Sequence, residues 1–113
     1  MKIKTSELQG AALDWAAAKC EKVEFTYEDH PHHEMFDMHY STSWAQGGPI
    51  IERERIAVEF VRRDEVDSAL LVWSANKYGT GYDEEGFTPL IAAMRCYVAS
   101  KLGDEVEIPE GLK

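Results

Sequence analysis

Four histidines fall within ten residues, at His30, His32, His33 and His39, interleaved with Glu34 and Asp37. Imidazole nitrogens with a carboxylate form a donor set for zinc or another divalent transition metal. Yet His32 and His33 are adjacent and point to opposite faces in an extended chain, and no HExxH-type spacing fixes a pair on one helix face. The four are therefore weak metal candidates. The competing reading is a solvated loop whose imidazoles titrate separately.

A second collection lies in Ser43-Trp44-Ala45-Gln46-Gly47-Gly48-Pro49-Ile50-Ile51-Glu52-Arg53. Trp44 offers a stacking face, Gly47 and Gly48 let backbone amides approach a ligand, and Arg53 offers a planar fork for phosphate or carboxylate. Gln46 adds an amide between them. No lysine follows the glycines at phosphate-loop spacing, so a P-loop is excluded. A third segment, residues 78 to 87, carries Gly79-x-Gly81, Tyr82 and Asp83-Glu84-Glu85 before Thr88. It lacks the third glycine of a dinucleotide fingerprint, and its acids would repel phosphate. Together, Trp44, Gln46, Gly47, Gly48, Arg53, Tyr82 and Thr88 are the candidate ligand-binding residues, and a small anionic or nucleotide-like molecule is the ligand they suit. On this reading Arg53→Ala weakens binding and leaves the fold intact. The bland alternative is a tight turn with Trp44 packed on the core and Arg53 solvated.

No catalytic residue is assigned. Ser41, Thr42 and Ser43 lie near His39, but no nucleophile elbow surrounds them. Among 21 acidic residues some proximity is inevitable, and nothing places two in one water-excluded cleft. Cys20 and Cys96 are too few and too far apart for a disulfide framework or a four-ligand zinc site. Both read as small core residues of helices. No cofactor is expected.

The elements that must hold these residues follow from periodicity. Thr5 or Ser6 suits the start of an alanine-rich helix reaching Cys20, with Gly10 as a break near its beginning. So much alanine suggests close packing on something flat, such as a sheet. Val23, Phe25 and Tyr27 alternate as a strand. Gln46-Gly47-Gly48-Pro49 reads as a turn. Arg55 to Arg62 and Ala69 to Asn76 read as paired strands joined by a polar connection, with a helix over Ile50 to Glu65 as the alternative to the first, and Lys77 to Phe87 reads as a loop. Thr88 caps the clearest helix, with Pro89 at its first position, Lys101 near its end and Gly103 beyond. Val106 and Ile108 permit a short last strand. The expected architecture is α+β: a small antiparallel sheet of three or four strands packed with an N-terminal and a C-terminal helix, in one domain over residues 1–113.

Composition narrows the partners. The chain has 12 basic and 21 acidic residues, a net charge of −9, and 44% hydrophobic residues. That is enough for a core, and the negative surface argues against direct nucleic-acid binding. No apolar run approaches the roughly 20 residues of a membrane span, so a soluble, cytoplasmic protein is expected. An apolar helix face left exposed would let so small a domain complete its core as a homodimer.

Three blocks carry a resemblance. They are Met1-Lys2-Ile3-Lys4-Thr5-Ser6-Glu7-Leu8 with Ala12-Leu13-Asp14-Trp15-Ala16, then Trp44 to Glu54, then Thr88 to Gly103. In order and wording the chain resembles the NinX-like family of small phage and prophage proteins. Residues 28 to 40 depart from that pattern, so the histidines take no role from it. The resemblance implies a phage accessory protein in the bacterial cytoplasm that modifies host physiology or blunts host defence by binding, with no catalytic residue to transfer. Its partner is then a small anionic ligand or, alternatively, a basic host protein engaged by the acidic surface.

Overall fold

The structure is a computed structural model and describes residues 1–22 and 38–112. The strand expected over Val23, Phe25 and Tyr27 lies outside the described residues, as do His30, His32 and His33. Three helices and two antiparallel sheets give an α+β fold among the described residues.

The last helix, α3 (Pro89–Leu102), organises the rest. Leu90, Ala92, Ala93, Met94, Cys96, Tyr97, Val98 and Ala99 are all buried. A helix apolar on nearly every side must be covered on nearly every side. Its signals act as the sequence predicts. The Thr88 hydroxyl accepts from the Ile91 amide at 3.1 Å, Pro89 occupies the first turn, and Gly103 ends the helix at φ +90°.

Against α3 packs α1 (Gly10–Cys20), whose Ala12, Ala16, Ala17 and Ala18 are buried. The expectation of a sheet beneath this alanine face is corrected. Small side chains on both helices, Ala92 and Ala93 included, bring two backbones close together instead. Thr5 does not cap the helix. It is buried in a separate 3₁₀ turn, Thr5–Glu7, and its hydroxyl donates to the Gly103 carbonyl at 2.6 Å. Gly10 opens α1 with φ +57°, so the break does fall there.

Residues Trp44–Glu54 form a helix, α2, so the turn expected at Gln46 to Pro49 is corrected. The residues that suggested a turn are those of a helix packed closely on its neighbours. Gly47 and Ile50 are buried on one face, at i and i+3. Pro49 is tolerated inside the helix, where it ordinarily costs about 3 kcal/mol. Arg55 closes α2 in the left-handed region at φ 56°.

The larger sheet has the order β2–β3–β4, with β2 (Ile56–Arg63) and β3 (Leu71–Lys77) as the expected hairpin. Their register runs from Ile56 opposite Lys77 to Phe60 opposite Trp73, then slips at Val61 so that Arg62 meets Val72. β4 (Asp83–Gly86) was expected to be loop, since Asp-Glu-Glu-Gly has poor strand propensity. Tertiary pairing with β3 overrides it, and an edge strand accepts charge. Gly86 permits the contact with α3, because a Cβ there would lie 2.7 Å from the Ala92 amide nitrogen. The last strand, β5 (Glu105–Glu107), forms but leaves the main sheet. It pairs with β1 (Lys2–Lys4), setting Lys2 opposite Glu107 and Lys4 opposite Glu105. No helix among the described residues is long and apolar enough to cross a membrane.

Candidate functional site

The candidate ligand residues divide between the two ends of one helix pair. Helices α2 and α3 lie side by side and run in the same direction. Trp44 meets Thr88, Pro89, Leu90 and Ile91 at their starts, while Arg53 meets Tyr97 farther along. Nine residues separate Trp44 from Arg53 in α2, which is about 13 Å of helix. The structure therefore brings Trp44 and Thr88 together and sets Arg53 apart from both.

At the first end, Ser41, Thr42, Trp44, Thr88, Pro89, Leu90 and Ile91 line a groove of about 240 Å³. Trp44 is 58% exposed, an unusual position for so large an apolar surface. The amides of Trp44, Ala45 and Leu90 have no hydrogen-bond partner among the described residues, as expected of first helical turns. Gln46 supports this end from within. Its Oε1 accepts from the His39 amide at 2.7 Å, fixing the turn before α2.

Gly47 serves packing. A Cβ on it would lie 2.5 Å from the Tyr40 carbonyl oxygen and 2.6 Å from Leu90 Cδ2. Gly48 differs, since a Cβ there would meet Trp44 Cε3 at 3.9 Å, an ordinary contact. Tyr82 is half-buried against the core, and its carbonyl accepts from the Lys77 amide and the Cys96 thiol. It contributes to neither end.

At the second end Arg53 is fully engaged. Its Nη1 and Nη2 donate to the two oxygens of Glu21, its Nε donates to Glu54 at 2.9 Å, and Nη2 reaches the Tyr97 hydroxyl at 3.2 Å. Tyr97 in turn donates to Glu21, and Lys77 Nζ donates to Glu54 at 2.7 Å. The hydrogen bonds from Arg53 hold the Glu21 carboxyl below its usual range. The bond from Lys77 lowers Glu54 to about 2. Burial, followed by the bond to Glu21, pushes the Tyr97 phenol up. Every charge in this cluster has an opposite neighbour, which makes it a clasp joining α1, α2, β3 and α3.

Asp14 is a further buried polar group that periodicity did not single out. Its Oδ1 accepts from the Ser41 amide at 2.8 Å and the Ser41 hydroxyl at 2.7 Å. It pins the turn that leads into the groove. Burial raises its carboxyl pKa, and the bonds from Ser41 act the other way. The signal available in the sequence was an acid set between Leu13 and Trp15 in the apolar stretch Ala11 to Ala18.

His39 is the one histidine among the described residues, and it is exposed. No group of three or more histidine, cysteine, aspartate or glutamate residues suited to a metal ion occurs among the described residues. The rest of the histidine cluster lies outside them. Burial holds the Cys20 thiol up at about 12 and that of Cys96 at about 11.

No curated protein matches the chain. The protein family described as "Bacteriophage P22, NinX" matches residues 4–101, which spans α1, the groove, the sheet and nearly all of α3. The chain belongs to that family.

Proposed function

We propose that this member of the phage family is a non-enzymatic binding protein that captures a small anionic, nucleotide-like ligand in the groove between the starts of α2 and α3. The observation that carries the reading is the exposed Trp44 ring set beside two first helical turns with open amides. An indole face stacks on a planar base or ring, and helix starts favour a negative group. Thr88, Gln46 and Gly47 act as scaffold here, capping α3, holding the turn and allowing close packing. Arg53 belongs to the clasp. The ligand's anion therefore meets backbone amides and no arginine.

The test is a titration of the full chain with adenosine monophosphate, guanosine monophosphate and inorganic phosphate, followed by NMR at the Trp44 indole and at the Ala45 and Leu90 amides. Saturable shifts with a nucleotide, whose amide component is lost in Trp44→Ala while the melting temperature holds, support the reading. Indole shifts absent with all three probes overturn it.

A second reading is a protein-interaction module in the host cytoplasm. It draws on the net charge of −9 and on Phe60, Val61, Val66 and Leu70, exposed along the outer part of the β2–β3 hairpin. A basic host protein would then bind with affinity that falls steeply with salt. Association that ignores salt counts against it.

A further inference from the structure

Arg95 and Glu84 share a cavity without pairing. The cavity, of about 290 Å³, lies beyond the end of β4, where Gly86 closes the strand. Arg95 reaches it from α3. Its Nε donates to the Leu8 carbonyl and its Nη1 to the Glu85 carbonyl, each at 2.8 Å. Its Nη2 has no hydrogen-bond partner among the described residues, and the guanidinium forms no ion pair there.

Glu84 lies opposite Ala75 in the register, on the sheet face that α3 covers, and is half-buried. Its carboxylate likewise accepts no hydrogen bond among the described residues. Burial pushes that carboxyl up while the charge of Arg95 pulls it down, so the two groups sense each other at a distance.

The other charged groups lining the cavity make hydrogen bonds within the fold. Arg62 makes a bidentate pair with Glu85, at 3.1 and 3.3 Å. Asp64 accepts from the amides of Val66 and Asp67. Open among the described residues are the Arg95 Nη2 amino group, the Glu84 carboxylate and Asp64 Oδ1, beside the buried Val72 and the half-exposed Phe87. Charge drawn partly out of water favours a partner, and these two half-buried groups do not pair with each other.

A ligand with a carboxylate and an ammonium on neighbouring atoms would satisfy both. We propose that this cavity binds a free α-amino acid, with its carboxylate on Arg95, its ammonium on Glu84 and its side chain against Val72 and Phe87. Drug-sized sites run from about 300 to 1,000 Å³, and a cavity just under that range suits a smaller molecule. A phosphate would set its charge against Glu84, Glu85 and Asp64, so this site and the Trp44 groove select different chemistry.

The experiment is an NMR titration of the full chain with L-valine, with isovalerate (no ammonium) and with isobutylamine (no carboxylate). It is read at the amides of Ser6, Glu85, Gly86 and Phe87. L-valine is expected to saturate, with each half-ligand at least about tenfold weaker. Glu84→Gln keeps the shape and should remove the advantage of L-valine over isovalerate. Arg95→Lys keeps the charge, loses the fork and should weaken L-valine and isovalerate together. Because Arg95 also holds Leu8, the Glu84→Gln result stands alone if the lysine variant does not fold. Equal affinity for the three probes, no saturation by L-valine up to roughly 10 mM, or an advantage that survives Glu84→Gln would overturn the proposal.

Discussion

The two ends of the α2–α3 pair each carry a large aromatic ring and arrive at opposite states. At the Arg53 end an aromatic ring, two carboxylates and two cations close on one another, and each polar atom finds a partner in the fold. At the Trp44 end an aromatic ring stands half in solvent above amides that the described residues leave open. An aromatic ring among polar groups does not by itself separate a clasp from an open groove. Satisfaction does: groups that have spent their hydrogen bonds on the fold have none to offer a ligand.

Substitutions sharpen that contrast, beginning with the most damaging. Gly47→Val forces two methyl groups toward the Tyr40 carbonyl and Leu90, and should destabilise the protein by about 3 kcal/mol or more in urea unfolding. Gly48→Ala, one residue on, meets only Trp44 at ordinary contact distance and should be neutral or stabilising by up to about 1 kcal/mol. Equal losses at the two glycines would break the packing account. Asp14→Ala strands the Ser41 amide and hydroxyl in the interior and should cost about 2 kcal/mol. Arg53→Ala should cost about 1–2 kcal/mol, moderated by its exposure, and leave nucleotide shifts at Trp44 untouched. Trp44→Ala should do the reverse, changing stability by less than about 0.5 kcal/mol while removing the nucleotide shifts at the Ala45 and Leu90 amides.

Acid supplies a subtler probe of the same contrast. The folded pKa of Glu54 is depressed from 4.5 to about 2, so its contribution is complete above 4.5 and is lost as pH falls toward 2. Asp14 has a raised folded value. Its contribution is therefore greatest below its ordinary value of 3.8 and is lost as pH rises through the folded value. Unfolding midpoints measured across this range should fall less steeply toward low pH in Glu54→Gln than in the wild-type chain. In Asp14→Asn they should fall more steeply, because the opposing slope has been removed. Identical profiles in all three proteins would show that neither carboxyl is tied to folding.

Much of the fold was legible from local pattern. Thr88, Pro89 and Gly103 marked α3 to the residue, and the alternation of Ile56, Val58 and Phe60 marked β2. The failures share a cause, which is that distant partners overrode local preference. Gly47, Gly48 and Pro49 look like a turn until Tyr40 and Leu90 are known to press on Gly47. Asp83, Glu84 and Glu85 look like a loop until β3 offers its edge. β1 is three residues whose strand character depends on a partner about a hundred positions away. The candidate site was legible in part. Trp44 and Thr88 do meet, but Arg53 was grouped with them by nearness in sequence. Glu21 and Tyr97, which bind it, lie 32 and 44 positions away.

The position of α3 along the chain has a consequence for synthesis. The helix against which α1, α2 and the sheet are packed follows all of them in the chain, so it is made after them. Until it clears the ribosome, the alanine face of α1 and the inner face of the hairpin have nothing to bury themselves against. The emerging polypeptide must therefore wait, largely uncollapsed and open to chaperones and proteases, and acquire its structure in one late event. A message cut short before α3 would leave those faces with nothing to cover them.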